Sequence, residues 1–123
     1  MTSVLRIDVD DPDVDMDHAQ RLLHRGEPFT GEAAEYQSGR LISLDEYTDG
    51  VLNGPSLEWY QTGTLRSEGR ARGGRAVGEF REWHPNGVLK SRKFFDGATA
   101  SLRDEDTWDE QGAPLSSWRR DDS

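Results

Sequence analysis

Gly39, Gly63 and Gly87 recur every 24 residues, and each precedes a leucine by two positions: Leu41, Leu65 and Leu89. A period of that length marks one supersecondary unit that hides its apolar surface only by stacking on copies of itself. Counting back from each glycine sets Tyr36, Tyr60 and His84 in one column and Glu35, Trp59 and Trp83 in the next. Gly54 and Gly78 open the second and third copies, and Gly31 matches them with a one-residue slip. A fourth copy, TWDEQGAPLSSW, keeps Trp108 four residues before Gly112 and then degenerates, as a terminal copy does.

Each copy reads as a β-hairpin. HPNG, residues 84–87, is the clearest turn, with Pro85 presetting its own φ and Asn-Gly tolerating positive φ. QSG, QTG and EQG are weaker forms of the same punctuation. The flanks SLEWY with TLRSEG, and FREWH with VLKSRKFF, have strand length, and TDG, RGG and FDG link one copy to the next. Alternation assigns Ser56, Glu58 and Tyr60 to one face and Leu57 and Trp59 to the other. Aromatics on both faces point to a strongly twisted sheet whose rings lie on the next hairpin. Ahead of the repeats, SVLRIDV predicts a strand. DMDHAQRLLHRG predicts a short helix, N-capped by Asp15 or Asp17, stopped by Gly26, and presenting Ala19, Leu22 and Leu23 to the first hairpin.

With 33% hydrophobic and 32% charged residues, a compact sphere would have a thin core, whereas four tryptophans argue against a disordered chain. Hairpins that cover one another resolve the conflict. The expected architecture is mainly β: an elongated, twisted antiparallel sheet of three to four stacked hairpins. Residues 1–27 form the strand and helix cap, and residues 28–118 the repeats (28–50, 51–73, 74–97 and a degenerate 98–118). Residues 119–123 form a frayed tail, and an open sheet edge offers a route to dimers.

The net charge of −9 is striped. Six aspartates face Arg6 alone in residues 1–17, eight cations face three glutamates in 64–93, and eight acids face three arginines from 94 onward. Flanking acid cancels the field that phosphate binding requires, which speaks against nucleic acid and anionic membranes as partners. No apolar run reaches the roughly 18 residues that cross a bilayer, and the N-terminus lacks an apolar signal segment, so a cytoplasmic protein is expected. There is no cysteine for thiolate chemistry. His18, His24 and His84 are badly spaced for zinc, and an EF-hand frame from Asp13 puts His18 where glycine is needed and His24 where glutamate is needed. No metal or cofactor is expected.

Two uses of the repeat columns remain. Trp59, Trp83, Tyr60 and His84, flanked by Glu58, Glu82, Arg66 and Arg81, have the side-chain types that dominate protein interfaces. Alternatively, Glu58, Tyr60, Glu82 and His84 form an acid–base face of a small enzyme or ligand-binding protein of a biosynthetic pathway. Against that, glutamates in a repeated column need only an architectural reason, and Arg66, Arg81 or Lys90 are placed to neutralise them across strands.

The columns resemble the MORN-variant repeat, which reads Gly, three residues, Glu, two aromatics, two residues, Gly, one residue, Leu. The likeness extends over residues 28–97 and weakens over 98–118. Ser56 stands where that pattern has a bulky aromatic, as Phe80 does, and the first copy shows Ala34-Glu35 in place of Glu-Trp. Bacterial proteins built from this repeat include YwqK-type antitoxins. The resemblance implies a non-enzymatic binding module, an antitoxin- or immunity-like inhibitor that covers the site of a cationic, toxin-like effector.

Overall fold

The computed structural model describes residues 5–120. Its twelve strands are β1 (Arg6–Asp8), β2 (Val14–Met16), β3 (Leu22–His24), β4 (Glu27–Pro28), β5 (Gly31–Gln37), β6 (Arg40–Thr48), β7 (Val51–Trp59), β8 (Leu65–Arg72), β9 (Arg75–Trp83), β10 (Leu89–Phe95), β11 (Leu102–Trp108) and β12 (Pro114–Arg119). Strands β5 to β12 pair in chain order as one antiparallel meander, and β1 joins in parallel alongside β5. The repeats are thus successive hairpins of a single open sheet. The accessible surface, 8104 Å², exceeds the roughly 6,700 Å² of a compact monomer of this mass. That excess is what a sheet largely lacking a second layer requires.

The predicted helix over 15–26 is not there. Asp17 instead closes a tight turn: its carboxylate accepts from the Arg21 N–H at 2.8 Å and from Arg21 Nε at 2.9 Å, and Gln20 takes φ +62°. Aspartate side chains compete in this way with helical hydrogen bonds. With Arg25 and Gly26 also at positive φ, the segment folds into a three-stranded sheet, β2–β3–β4. It still does the covering expected of the helix. Leu22 and Phe29 pack with Ile7 and Ala33 in the buried core, flanked by Val9, Val14 and Tyr47. Arg119, expected in the frayed tail, instead pairs with Asp104 in β12, and residues 121–123 of that expected tail lie outside the described residues.

Three hairpin tips are built alike. Tyr60, His84 and Asp109 each take the N–H of the glycine three residues on and donate their own N–H to residue 64, 88 or 113. Gly63, Gly87 and Gly112 sit at φ +86° to +94°, so the glycine column exists for backbone geometry. In HPNG it is Gly87, not Asn86, that takes positive φ; the Asn86 side chain receives the Val88 N–H. The first tip is one residue shorter: Ser38 and Gly39 form a two-residue turn between Gln37 and Arg40.

That missing residue corrects the sequence columns. Register pairs Tyr36 with Leu41, Trp59 with Leu65, Trp83 with Leu89, and Trp108 with Pro114. Tyr36 is therefore the counterpart of the tryptophans, and Glu35-Tyr36 is the first copy's Glu-aromatic pair. In every hairpin a register shift next to this pair leaves one residue unopposed on the return strand: Ile42, Arg66, Lys90 and Leu115. Such a bulge re-aims neighbouring side chains.

The last hairpin is tied down by carboxylates. Asp106 is held below the usual carboxylate range, first by a hydrogen bond from Arg119 and then by the Ser117 hydroxyl. Asp96 is lowered chiefly by the N–H groups of Ala98 and Thr99. A depressed carboxyl stabilises the fold above its unfolded value, near 4, and that contribution is lost as pH falls through the folded value. Amide exchange in β12 is therefore expected to accelerate below about pH 4 more than in β7–β8, with Asp106→Asn removing much of the difference.

Candidate functional site: the carboxylate face of the sheet

Register assembles one straight row across eight strands: Glu35, Ser43, Glu58, Ser67, Glu82, Ser91, Thr107 and Ser116. Directly opposed residues share a face, so the row alternates long carboxylates with small hydroxyls as far as Ser91 and ends in the hydroxyls of Thr107 and Ser116. Ser67 and Ser91 lie low, at 6% and 5% exposure. Glu35, Glu58 and Glu82 follow one another along the row at two-strand intervals of about 9.6 Å.

The three carboxylates are not equivalent. Glu82 accepts from Ser91 Oγ at 3.3 Å and lies 3.6 Å from Lys93 Nζ, which also reaches Glu105 at 3.8 Å. Among the described residues, Glu35 and Glu58 form no ion pair. They border a shallow cleft of about 420 Å³ with Ser43, Trp59, Tyr60 and Arg66 among its walls. The cleft lies beside the short first tip, where Gln37 follows Tyr36 in place of a longer loop.

The next row on the same face shows why Ser56 departs from the aromatic pattern. Ser56 donates its hydroxyl to Asp45, directly opposite. One copy later the equivalent positions are Phe80 and Gly69, and the Phe80 ring fills the space where a Gly69 Cβ would stand. In the third copy they are Glu105 and Lys93, an ion pair. Three chemistries do the same job of closing the seam between neighbouring strands.

Tyr60 and His84 join copies together. Tyr60 Oη donates to the Trp83 carbonyl at 2.7 Å, and His84 Nε2 lies 2.9 Å from the Trp108 carbonyl, so Nε2 carries the proton. Arg40 reaches Gln61 O and Asn86 reaches Glu110 O in the same direction. Replacing Tyr60 by Phe is expected to cost about 1 kcal/mol in urea unfolding, the value of one such bond. The tryptophans do not stack: two strand spacings separate Trp59 from Trp83, and Leu65 stands between them. Among the described residues the one ring–ring contact is His24 against Phe29.

The structure thus divides the sequence-predicted set. Glu58, Tyr60, Trp59 and Arg66 meet at the cleft. Glu82 lies further along the row, His84 is bonded to Trp108, and Trp83 stands beside Leu89. Arg81 is on the opposite face, paired with Glu79 at 3.0 Å. Neither Arg81, Arg66 nor Lys90 neutralises the glutamate column; Lys93 does so for Glu82, while Arg66 lies over the Tyr60 ring at 5.6 Å. Glu35 and Ser43 were missed, although aligning the copies on Glu-aromatic rather than on glycine would have found them.

Part of the basic band is held on the opposite face, where Arg81 and Arg92 are ion-paired. Arg92 bridges Glu79 and Asp106, Arg119 joins Asp106, and Arg72 donates to the Gly97 carbonyl. No grouping of metal-ligating side chains occurs among the described residues, and no helix is long and apolar enough to cross a membrane. No family model matches the chain, and no curated protein or solved structure matches it either.

Proposed function

We propose that this chain is a non-enzymatic protein-binding module of the antitoxin or immunity type, which covers a site on a cationic effector with the carboxylate face of its sheet. The observation that carries this reading is the Glu–Ser row, in which Glu35 and Glu58 stand without an ion-pair partner among the described residues. A carboxylate on a rigid sheet needs little reordering to meet an arginine or lysine from another molecule. The resemblance of the columns to MORN-variant repeats of YwqK-type antitoxins points the same way. Glu82 is held by Lys93 and His84 by the Trp108 carbonyl, apart from the cleft where Glu58 and Tyr60 meet, and this separation favours binding over acid–base catalysis.

Capture on the immobilised chain from its source extract tests the proposal. The wild type is expected to retain one partner stoichiometrically, to inhibit that partner's activity, and to release it at high salt. A Glu35→Lys/Glu58→Lys double variant should fold normally and bind at least about 100-fold more weakly. Absence of a stoichiometric partner, or undiminished inhibition by the double variant, contradicts it.

A further inference from the structure

Strand β12 ends the meander with its outer edge unpaired among the described residues. All six of its residues are exposed, including Leu115 at 65% and Trp118 at 46%. Arg120 N–H donates inward to Arg103 O at 2.7 Å. By antiparallel alternation, Trp118 and Ser116 also turn their backbone groups toward β11, and those of Ser117 and Arg119 face outward. An edge of this kind is a template for another strand.

We infer that this edge pairs with the β12 edge of a second copy of the chain, antiparallel and centred on Ser117, giving a two-fold dimer with one continuous sheet. A dyad perpendicular to the sheet keeps each face continuous, so residues on the two strands pair with numbers summing to 234. Ser117 then exchanges both backbone bonds with its own counterpart. Trp118 comes beside Ser116 of the second copy, which covers an indole now half in water.

Three observations favour a second copy over other occupants. First, β12 carries no uncompensated charge at the proposed axis: Arg119 is paired with Asp106 at 3.2 Å, and Ser117 Oγ donates to the same carboxylate at 2.8 Å. Second, carboxylates beside that edge are ion-paired within the chain, Asp106 by Arg92 and Arg119 and Glu105 by Lys93. The aspartate-rich segment, residues 8–17, lies at the β1 end, eight strand spacings or about 38 Å away. That is several Debye lengths at physiological salt. Third, head-to-tail addition is disfavoured. Asp109, in the column of Tyr60 and His84, spends its carboxylate on the Gln111 and Ala113 N–H groups of its own tip and does not reach outward. The opposite edge, β1, offers three residues and runs parallel to its neighbour. A two-fold contact closes on itself and builds no filament.

Sedimentation equilibrium of the full chain tests this without any partner, so its outcome is independent of the inhibitor reading. The wild type should pass from one to two monomer masses with a midpoint in roughly the micromolar range, as a small interface gives. Ser117→Pro removes the outward N–H at a position where an edge strand tolerates proline. It should weaken association by about 100-fold or more with unchanged circular dichroism, whereas Ser117→Ala stays dimeric. If the proline variant misfolds, Ser117→Lys, which sets two like charges on the axis, gives the same reading. Monomer mass at every concentration, or a dimer that survives both the proline and the lysine, overturns the inference.

Discussion

Gly50→Ala is expected to destabilise the protein by about 3 kcal/mol or more and to detach the N-terminal sheet from the meander. Gly50 occupies the β6–β7 turn at φ +82°, a region where a side chain is strained by about 1–2 kcal/mol. It is also the docking point of the small sheet: Gly50 N–H donates to Phe29 O and Leu22 N–H donates to Gly50 O, both at 2.8 Å. A Cβ there would stand 2.8 Å from Arg21 Cβ and 2.9 Å from Leu22 O, and the second of these is backbone. Leu22 and Phe29 supply much of the main buried cluster, so displacing them exposes Ile7 and Ala33 as well. Urea unfolding followed by tryptophan emission measures the loss. Because the four tryptophans lie outside residues 5–30, proteolysis within residues 17–26 reports the detachment separately.

Phe80→Ser is expected to cost about 3 kcal/mol, the range for truncating a large aromatic that covers a seam. The ring fills the space above Gly69, which has no side chain of its own, and Lys93 Nζ lies 6.0 Å from the ring centre. The preceding copy solves the same contact with Ser56 and Asp45. Transplanting that pair, as Phe80→Ser/Gly69→Asp, should recover about half of the loss, whereas Gly69→Asp alone should be destabilising because the ring occupies the site. Non-additivity of this kind is the signature of side chains in contact. Thermal melts of the two single variants and the double variant check it, and strictly additive losses would show that the three seam chemistries are unrelated.

The strands and their tips were legible because turn glycines and a 24-residue period leave few alternatives. Gly63, Gly87 and Gly112 mark backbone that must take positive φ, and the segments between them have room for two strands each. The N-terminal cap was not legible in the same way. Ala19, Leu22 and Leu23 fit a helical stripe, but a stripe of three apolar residues stabilises little, and Asp17 gains more by closing a turn on Arg21. Alternation holds through Glu58 and Glu82, whereas the bulges at Arg66 and Lys90 on the return strands were not legible, because no residue type announces a bulge. Tyr60 and His84 look like surface recognition groups in the sequence. Their partners are main-chain carbonyls of the following copy, and a carbonyl has no letter. The cleft was hidden by one missing residue in the first tip, which shifts the column of Glu35 and Tyr36 when copies are aligned on glycine.

The alternating carboxylate row rests on the register between β8 and β9, where the second copy meets the third. The chain has no cysteine, so engineered pairs report register cleanly. Ser67→Cys/Glu82→Cys, directly opposed across that seam, should form an intramolecular disulfide under mild oxidation with no loss of thermal stability. If Glu68→Cys/Glu82→Cys links in its place, the strands are offset by one residue, Glu82 leaves the face that carries Glu35 and Glu58, and the row does not exist.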